Sequence, residues 1–567
     1  MDKKTRVAFI GSVLVLLVIF IIVGVVIVGK LTPSDEVMLL SDYYTVEDDE
    51  VLVLMQDKIY DKKGLFIDGK VYIDYNTVVS EFNHRFYWDS NENILTYTTP
   101  EEILQAEAES SEYTVTKSMI ETSASMDYDI VKVFADEVYL ALDFVGMYSD
   151  MKYQLYEDPN RVVIEYQWGD FLYTEVTKET QLRSEASIKS PILKELPIGT
   201  GLLYVSTEAP KKGFSQVMTE DGVIGYVKDK FVKESSYKTF ESNYQEPVYT
   251  AQTRKGKVNL VFHQVFNTDA VNNLEELLKT TKEVTVISPT WFSIDSSEGT
   301  IASIASEAYV EKANNLGLEV WALVDDFNKD ISMYELLSHT SRRIKLENSL
   351  IEAAIEYKLN GINIDFEKIT NDAGIHYIQF LRELSVKCRN NGIVLSVDNY
   401  VPTAYTKHYD REEQGKIVDY MIVMAYDEYY AGSDVAGPVA SLGYVQDAVT
   451  NIIEIVPKEK VIIAIPFYTR IWKETKDGEI SSESKAMTNA AQLLEENQAQ
   501  KEWDADTGYY YAEYEKDDAL YMMWQEEEKS IEEKLKVIYE ADVAGIAAWK
   551  LGLEKESIWN IIVKYLN

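Results

Sequence analysis

Between Asn360 and Glu367 the chain reads Asn-Gly-Ile-Asn-Ile-Asp-Phe-Glu, an apolar run with a polar group set at every second position. Alternate side chains of a strand share a face, so Asn363, Asp365 and Glu367 point one way and Ile362, Ile364 and Phe366 the other. Burying carboxylates is costly unless they are paired or hydrogen-bonded. The row is therefore either a satisfied polar layer of a core or a place where acids are used. Two acids on one face act on each other: Asp365 as a like charge raises the pKa of the pair and helps Glu367 keep a proton. A proton donor working near neutral pH needs that.

Such a row is useful only at the open end of a rigid frame. From Lys257 onward, eight apolar strand candidates recur over the rest of the chain: VNLVFHQVF, VTVISPTWFSI, LEVWALVDDF, GINIDFE, IVLSVDNYV, YMIVMAYD, VIIAIPFY and AGIAAWKLG. Helical patterns separate most of them. This alternation predicts a (β/α)8 TIM barrel over residues 257–567, with its working groups at the C-terminal ends of the strands. The acidic row falls on the fourth strand.

The row resembles the DxxDxDxE signature of glycoside hydrolase family 18, with Asn360 and Asn363 in place of the first two aspartates. Met424-Ala425-Tyr426-Asp427 resembles the sixth-strand MxYD motif, and Trp549 matches the tryptophan of the eighth strand. Ser288-Pro289-Thr290-Trp291-Phe292, Pro466-Phe467-Tyr468-Thr469-Arg470 and Trp549-Lys550-Leu551-Gly552 resemble the spore-cortex and peptidoglycan glucosaminidase branch more closely. The resemblance implies hydrolysis of β-linked N-acetylglucosamine glycans. Glu367 would be the general acid/base, and the substrate's acetamido oxygen would take the place of an enzyme nucleophile. It further implies that Asp365 orients the acetamido group, Tyr426 bonds its oxygen, Trp549 stacks on the sugar and Asn363 supports Asp365. Met424, Asp427, Tyr468 and Trp291 are further candidates for substrate binding. Trp291, Trp472, Trp503 and Trp524 are each either sugar platforms or core residues. His263 and His376 lie too far apart in spacing to suggest a ligand pair, and neither metal nor cofactor is expected.

Upstream, Val7–Gly29 is an uncharged run long enough to cross a bilayer as one helix. Lys3, Lys4 and Arg6 precede it, which places residues 1–6 in the cytoplasm and the remainder outside the cell. The long apolar run and the absence of an Ala-x-Ala-like exit favour an uncleaved anchor.

Residues 37–173 contain two segments with the same grammar of strand, short helix, strand, acidic turn and closing strand, beginning at Gly69 and Asp136. The repeat is similar to the N-terminal domain named after copper amine oxidase, a stalk-like α+β module; no metal chemistry comes with it. Residues 174–234 carry short alternating strands around Pro-Ile-Gly-Thr-Gly and Asp-Gly turns. They resemble a bacterial Src-homology-3-like domain, a small β-barrel that serves either to hold wall peptides or as a spacer. The polar stretch 235–256 reads as a linker.

A formal net charge of −40 argues against nucleic acid as a partner. Aromatics at 12%, with 40 tyrosines, mark a folded chain. The lone Cys388 excludes an intramolecular disulfide. The reading that unites these features is a membrane-anchored, extracellular enzyme on peptidoglycan at the cell wall. A chitin-type hydrolase and a catalytically silent wall-binding protein are the alternatives.

Overall fold

The computed structural model describes residues 2–205 and 213–566. Met1, Asn567 and the segment 206–212 of the expected Src-homology-3-like module lie outside the described residues. The chain divides into two compact units that do not follow chain order. One comprises Met1–Phe86, Ala108–Glu112 and Ser125–Glu246; the other comprises Tyr87–Glu107, Tyr113–Ala124 and Pro247–Asn567.

The first unit opens with the helix Lys3–Leu31, of which Arg6–Leu31 is long and apolar enough to cross a membrane. A mixed sheet follows, in the order Val131–Phe134, Glu137–Ala141, Lys70–Asp74, Gly64–Ile67, Glu50–Met55, Arg161–Glu165, Lys152–Tyr156. The opening strands of the two repeat segments pair antiparallel within it, Tyr72 opposite Ala141. Seven further strands between Gly169 and Phe240 form an antiparallel sheet with its own core of Val176, Leu182, Leu193, Leu196, Leu202, Val217, Val223 and Val227. Part of the stretch expected to be a linker is a strand: Ser236–Phe240 pairs with Gly169–Glu175, and the rings of Phe171 and Phe240 meet edge to face. Period-2 alternation and an open edge outweigh the polar composition there.

In the second unit eight parallel strands close into a barrel: β1 (Val258–His263), β2 (Val286–Ile294), β3 (Glu319–Asp325), β4 (Gly361–Asp365), β5 (Val394–Tyr400), β6 (Tyr420–Met424), β7 (Val461–Pro466) and β8 (Gly545–Trp549). Closure is made by β1 pairing with both β2 and β8. Apolar side chains pack together inside the barrel: Val258, Leu260, Phe262, Val286, Trp321, Leu323, Tyr420, Ile422 and Ala464. Trp321 and Tyr420 stack there with ring centroids 5.2 Å apart. Gly361 opens β4 because a Cβ would stand 2.7 Å from the Trp321 ring. Ile362, Ile364 and Phe366 face the helical layer, in the cluster that also contains Leu350, Phe380 and Leu384.

Two additions complete this unit. Between β7 and β8 the chain forms a five-stranded antiparallel sheet within Tyr468–Gln525, with the helix Met487–Glu496 over a core of Ile471, Ala490, Leu494, Ala512 and Met523. The other addition comes from far upstream. The closing hairpin of the first repeat segment, Tyr87–Asp89 and Ile94–Thr98, leaves the mixed sheet and starts a separate antiparallel sheet with Ile103–Glu107, Glu112–Lys117 and Ile120–Ser125. The expected continuous module 37–173 is thus divided, and part of it belongs with the barrel.

The reason lies in the polar groups this hairpin brings. Asp89 accepts hydrogen bonds from the backbone N–H and the hydroxyl of Thr340 at 2.6 and 2.7 Å, and Glu92 accepts from the N–H of Ser341 at 2.8 Å. They cap the helix Thr340–Glu356, whose N-cap residue His339 offers no side-chain cap. Tyr87 covers the fully buried Arg343, which pairs with Glu383 at 3.2 Å.

Candidate active site

The site is built where β3, β4, β5 and β6 end. Asn363 is fully buried, and its amide is taken up by β5: Ser396 Oγ donates to its Oδ1 at 2.6 Å, and its Nδ2 donates to Asp398 Oδ2 at 2.6 Å. The side chain turns across to the neighbouring strand, so any support it gives Asp365 passes through Asp398 and not through a direct hydrogen bond. Asn360, at the start of the row, holds the backbone N–H of Val320 at 2.9 Å and belongs to the strand scaffold.

Asp365 is buried, and its Oδ1 has no hydrogen-bond partner among the described residues. Burial, followed by the charges of Asp398, Glu367, Asp326 and Asp325, pushes its carboxyl group well above the usual carboxylate range. Glu367 stands just past β4 and receives a hydrogen bond of 2.5 Å from the Tyr400 hydroxyl on Oε2. Burial raises its pKa, and the Tyr400 bond opposes this by favouring the carboxylate; Asp326 and Asp427 add to the rise. Its backbone is fixed from β3's end, where the Asp326 carboxylate accepts the N–H groups of Glu367 and Lys368 at 3.0 and 2.8 Å.

Tyr426 follows β6 and is only partly exposed; burial and the fields of Asp398, Asp365, Tyr468 and Glu367 hold its hydroxyl protonated. Asp427, in a left-handed backbone conformation at φ 56°, accepts from the Tyr468 hydroxyl at 2.5 Å and pairs with Arg470 at 3.4 Å. Met424 is buried at the end of β6. Trp549, at the end of β8, is partly exposed, with its ring 5.5 Å from that of Phe262.

The other tryptophans are placed differently. Trp291 is only 3% exposed and lies edge-on against Tyr309 at 4.9 Å, so its faces belong to the core and present no sugar platform. Trp472 is fully buried with its indole N–H on the Gly437 carbonyl. Trp503 is covered by the Lys529 ammonium at 3.6 Å, and Trp524 tilts against Tyr511. His263 is bonded to Tyr309, and burial pushes its pKa down to about 4. Among the described residues no group of three or more His, Cys, Asp or Glu side chains is arranged to hold a metal ion.

Asp326, Asp398 and Tyr400 are missing from the list of candidates that sequence supplies. The signal was present for two of them: in IVLSVDNYV, Ser396, Asp398 and Tyr400 alternate as Asn363, Asp365 and Glu367 do. Asp326 follows Asp325, and nothing local separates the acid that points to the fourth strand from its neighbour.

Acids gathered at the C-terminal end of a parallel eight-stranded barrel, around a half-buried glutamate whose pKa is raised, are the arrangement of a glycoside hydrolase. Residues 248–554, more than half of the chain, match the model of the glycosyl hydrolases family 18, and the chain belongs to that family. Among its relatives is an uncharacterized glycosylase, YvbX, of Bacillus subtilis, 25% identical over 279 residues that cover 47% of this chain and 80% of the relative. Another is the cortical fragment-lytic enzyme of Bacillus subtilis, 25% identical over 252 residues, covering 42% of this chain and 57% of that enzyme. The chain thus spans little more than half the length of the cortical enzyme. The spore cortex-lytic enzyme SleL of Bacillus cereus shares the fold, with a TM-score of 0.50 at 20% identity over 56% of this chain and 75% of that one.

Proposed function

We propose that this protein is a membrane-anchored, outward-facing glycosidase that cleaves β-linked N-acetylglucosamine in peptidoglycan by a retaining, substrate-assisted mechanism. The observation that carries this reading is the environment of Glu367: its burial and the acids around it favour the protonated form, which can give a proton to the glycosidic oxygen. Asp365 and Tyr426 belong to the same cluster of interacting groups and suit the acetamido group of the substrate, whose oxygen attacks the anomeric carbon. Trp549 offers an aromatic surface to the sugar ring. Glu367 then returns as base to activate the water that opens the cyclic intermediate.

Peptidoglycan is supported by context: a relative named a cortical fragment-lytic enzyme, and a helix suited to hold the enzyme at the envelope. In this reading the upstream sheets are a stalk-like repeat and a Src-homology-3-like module that keep the barrel against the wall.

The test is mass spectrometry of products after the purified full-length protein meets peptidoglycan sacculi or chitin oligomers. Glycan fragments ending in reducing N-acetylglucosamine from sacculi support the proposal. Products from chitin alone would transfer the enzyme to chitin, and turnover of neither would leave a wall-binding protein. Membrane fractionation tests the anchor: recovery of a processed, soluble form from the medium would replace it with a signal peptide.

A further inference from the structure

β4 and β5 pair in parallel through Asn363 opposite Ser396 and Ile364 opposite Val397, so the next residues along, Asp365 and Asp398, are neighbours on one face. Adjacent strands stand about 4.8 Å apart. Both aspartates are buried, 5% and 2% exposed, and the Oδ1 atom of each lacks a hydrogen-bond partner among the described residues. The remaining contact of Asp398 is fixed. The Ser396 hydroxyl donates to Asn363 Oδ1, which sets the amide so that its N–H, which is not acidic, faces Asp398 Oδ2. Neighbouring carboxylates in a dry site do not both ionise, and an unsatisfied buried acceptor costs free energy. A single proton held by the pair relieves the repulsion between two like charges on adjacent strands.

We propose that Asp398 is a positioning residue of this active site: it and Asp365 hold a single proton between them, as a carboxylic acid bonded to a carboxylate. The pair then carries one negative charge over a wide pH range, bounded by two separated macroscopic steps. When Glu367 gives its proton to the leaving oxygen, the shared proton stays on the pair. The charge facing the positive sugar centre is thereby constant.

The groups around the pair are acids and phenols. Glu367 lies beyond Asp365 on β4, Asp325 and Asp326 act from β3, and Tyr426 acts from the end of β6. Tyr400 acts from β5 itself, and Tyr377 from the helix Gly374–Asn391. Lys368, the nearby cation, reaches the Asp326 carbonyl at 3.2 Å.

The kinetic part of the test rests on the glycosidase reading; the spectroscopic part does not. With an aryl di-N-acetylchitobioside as probe, Asp398→Asn should move the acid limb of the kcat/KM profile upward by about one pH unit or more, because Asp365 alone no longer shares its charge. It should lower kcat and leave KM nearly unchanged. Acid limbs that coincide in the two proteins would overturn the proposal. Independently, the infrared band of protonated carboxyl groups should persist to higher pH in the native protein than in Asp398→Asn; identical titrations would sink the pair whether or not any glycan is cut. If the native protein cleaves nothing while the bands differ as expected, the glycosidase reading falls and the pair stands. Should Asp398→Asn fail to fold, as near-ultraviolet circular dichroism would show, Asp398→Ser serves in both measurements.

Discussion

Tyr400, at the end of β5, donates its hydroxyl proton to Oε2 of Glu367, beyond the end of β4, over 2.5 Å. The bond orients the glutamate and stabilises its carboxylate, partly offsetting burial, which favours the acid. Tyr400→Phe removes a stabiliser of the charged form, so the Glu367 pKa rises further. The activity of a proton donor is lost as pH rises through its pKa, so the alkaline limb of the pH–rate profile should move to higher pH. The lost orientation should lower kcat roughly tenfold to a hundredfold. A profile unchanged in position would refute the role.

Glu367→Gln keeps the shape of the side chain and removes its proton. Turnover on peptidoglycan or an aryl chitobioside should fall by roughly 10² to 10⁴-fold, while binding, followed by intrinsic tryptophan fluorescence, persists. Retention of more than a tenth of the native rate would move the proton donor elsewhere.

Asp326 holds two consecutive N–H groups at the turn that carries Glu367. Asp326→Ala leaves both donors without their acceptor, at a cost of about 1–3 kcal/mol. We expect a lower urea midpoint and a fall in kcat that exceeds any change in KM. A stability loss with kcat intact would show that the turn does not set the position of Glu367.

Trp549 and Trp291 should separate cleanly. Trp549→Ala should raise KM at little expense in stability, since the ring is only partly buried at the barrel mouth. Trp291→Ala should cost about 3–5 kcal/mol by opening a cavity beside Tyr309. An increase of KM for Trp291→Ala without a drop in melting temperature would return that ring to the list of sugar platforms.

Asp89→Ala uncaps the helix Thr340–Glu356 from a residue some 250 positions upstream. It should destabilise the barrel by about 1 kcal/mol in chemical denaturation and leave kcat unchanged. By the same logic a fragment of residues 257–567, the range over which the sequence predicts the barrel, loses the Asp89 and Glu92 caps and the Tyr87 cover over Arg343. It should unfold at a lower temperature than a protein lacking only the N-terminal helix.

The sequence by itself determined what is local and periodic. An uninterrupted apolar run made a helix, alternation of polar and apolar residues made β4 and gave it a working face, and eight such strands with helical spacers made the barrel. Asp365, Glu367 and Tyr426 were legible because their strand ends and motifs are short-range features. Tertiary structure alone decided which strands' polar faces meet. Asp398 and Tyr400 carried the same period-2 signal as Asp365 and Glu367, yet only the β4–β5 register brings Asp398 beside Asp365 and Tyr400 onto Glu367. Trp291 reads like Trp549 in sequence, but its packing against Tyr309 buries it. The hairpin at Tyr87–Thr98 repeats the grammar of its counterpart at Lys152–Glu165, yet it serves the barrel, because a helix start there lacked a cap and a buried arginine lacked a cover. Strand periodicity is fixed by neighbours two residues apart; strand register and helix capping are settled by groups hundreds of residues apart that meet only once the chain has closed.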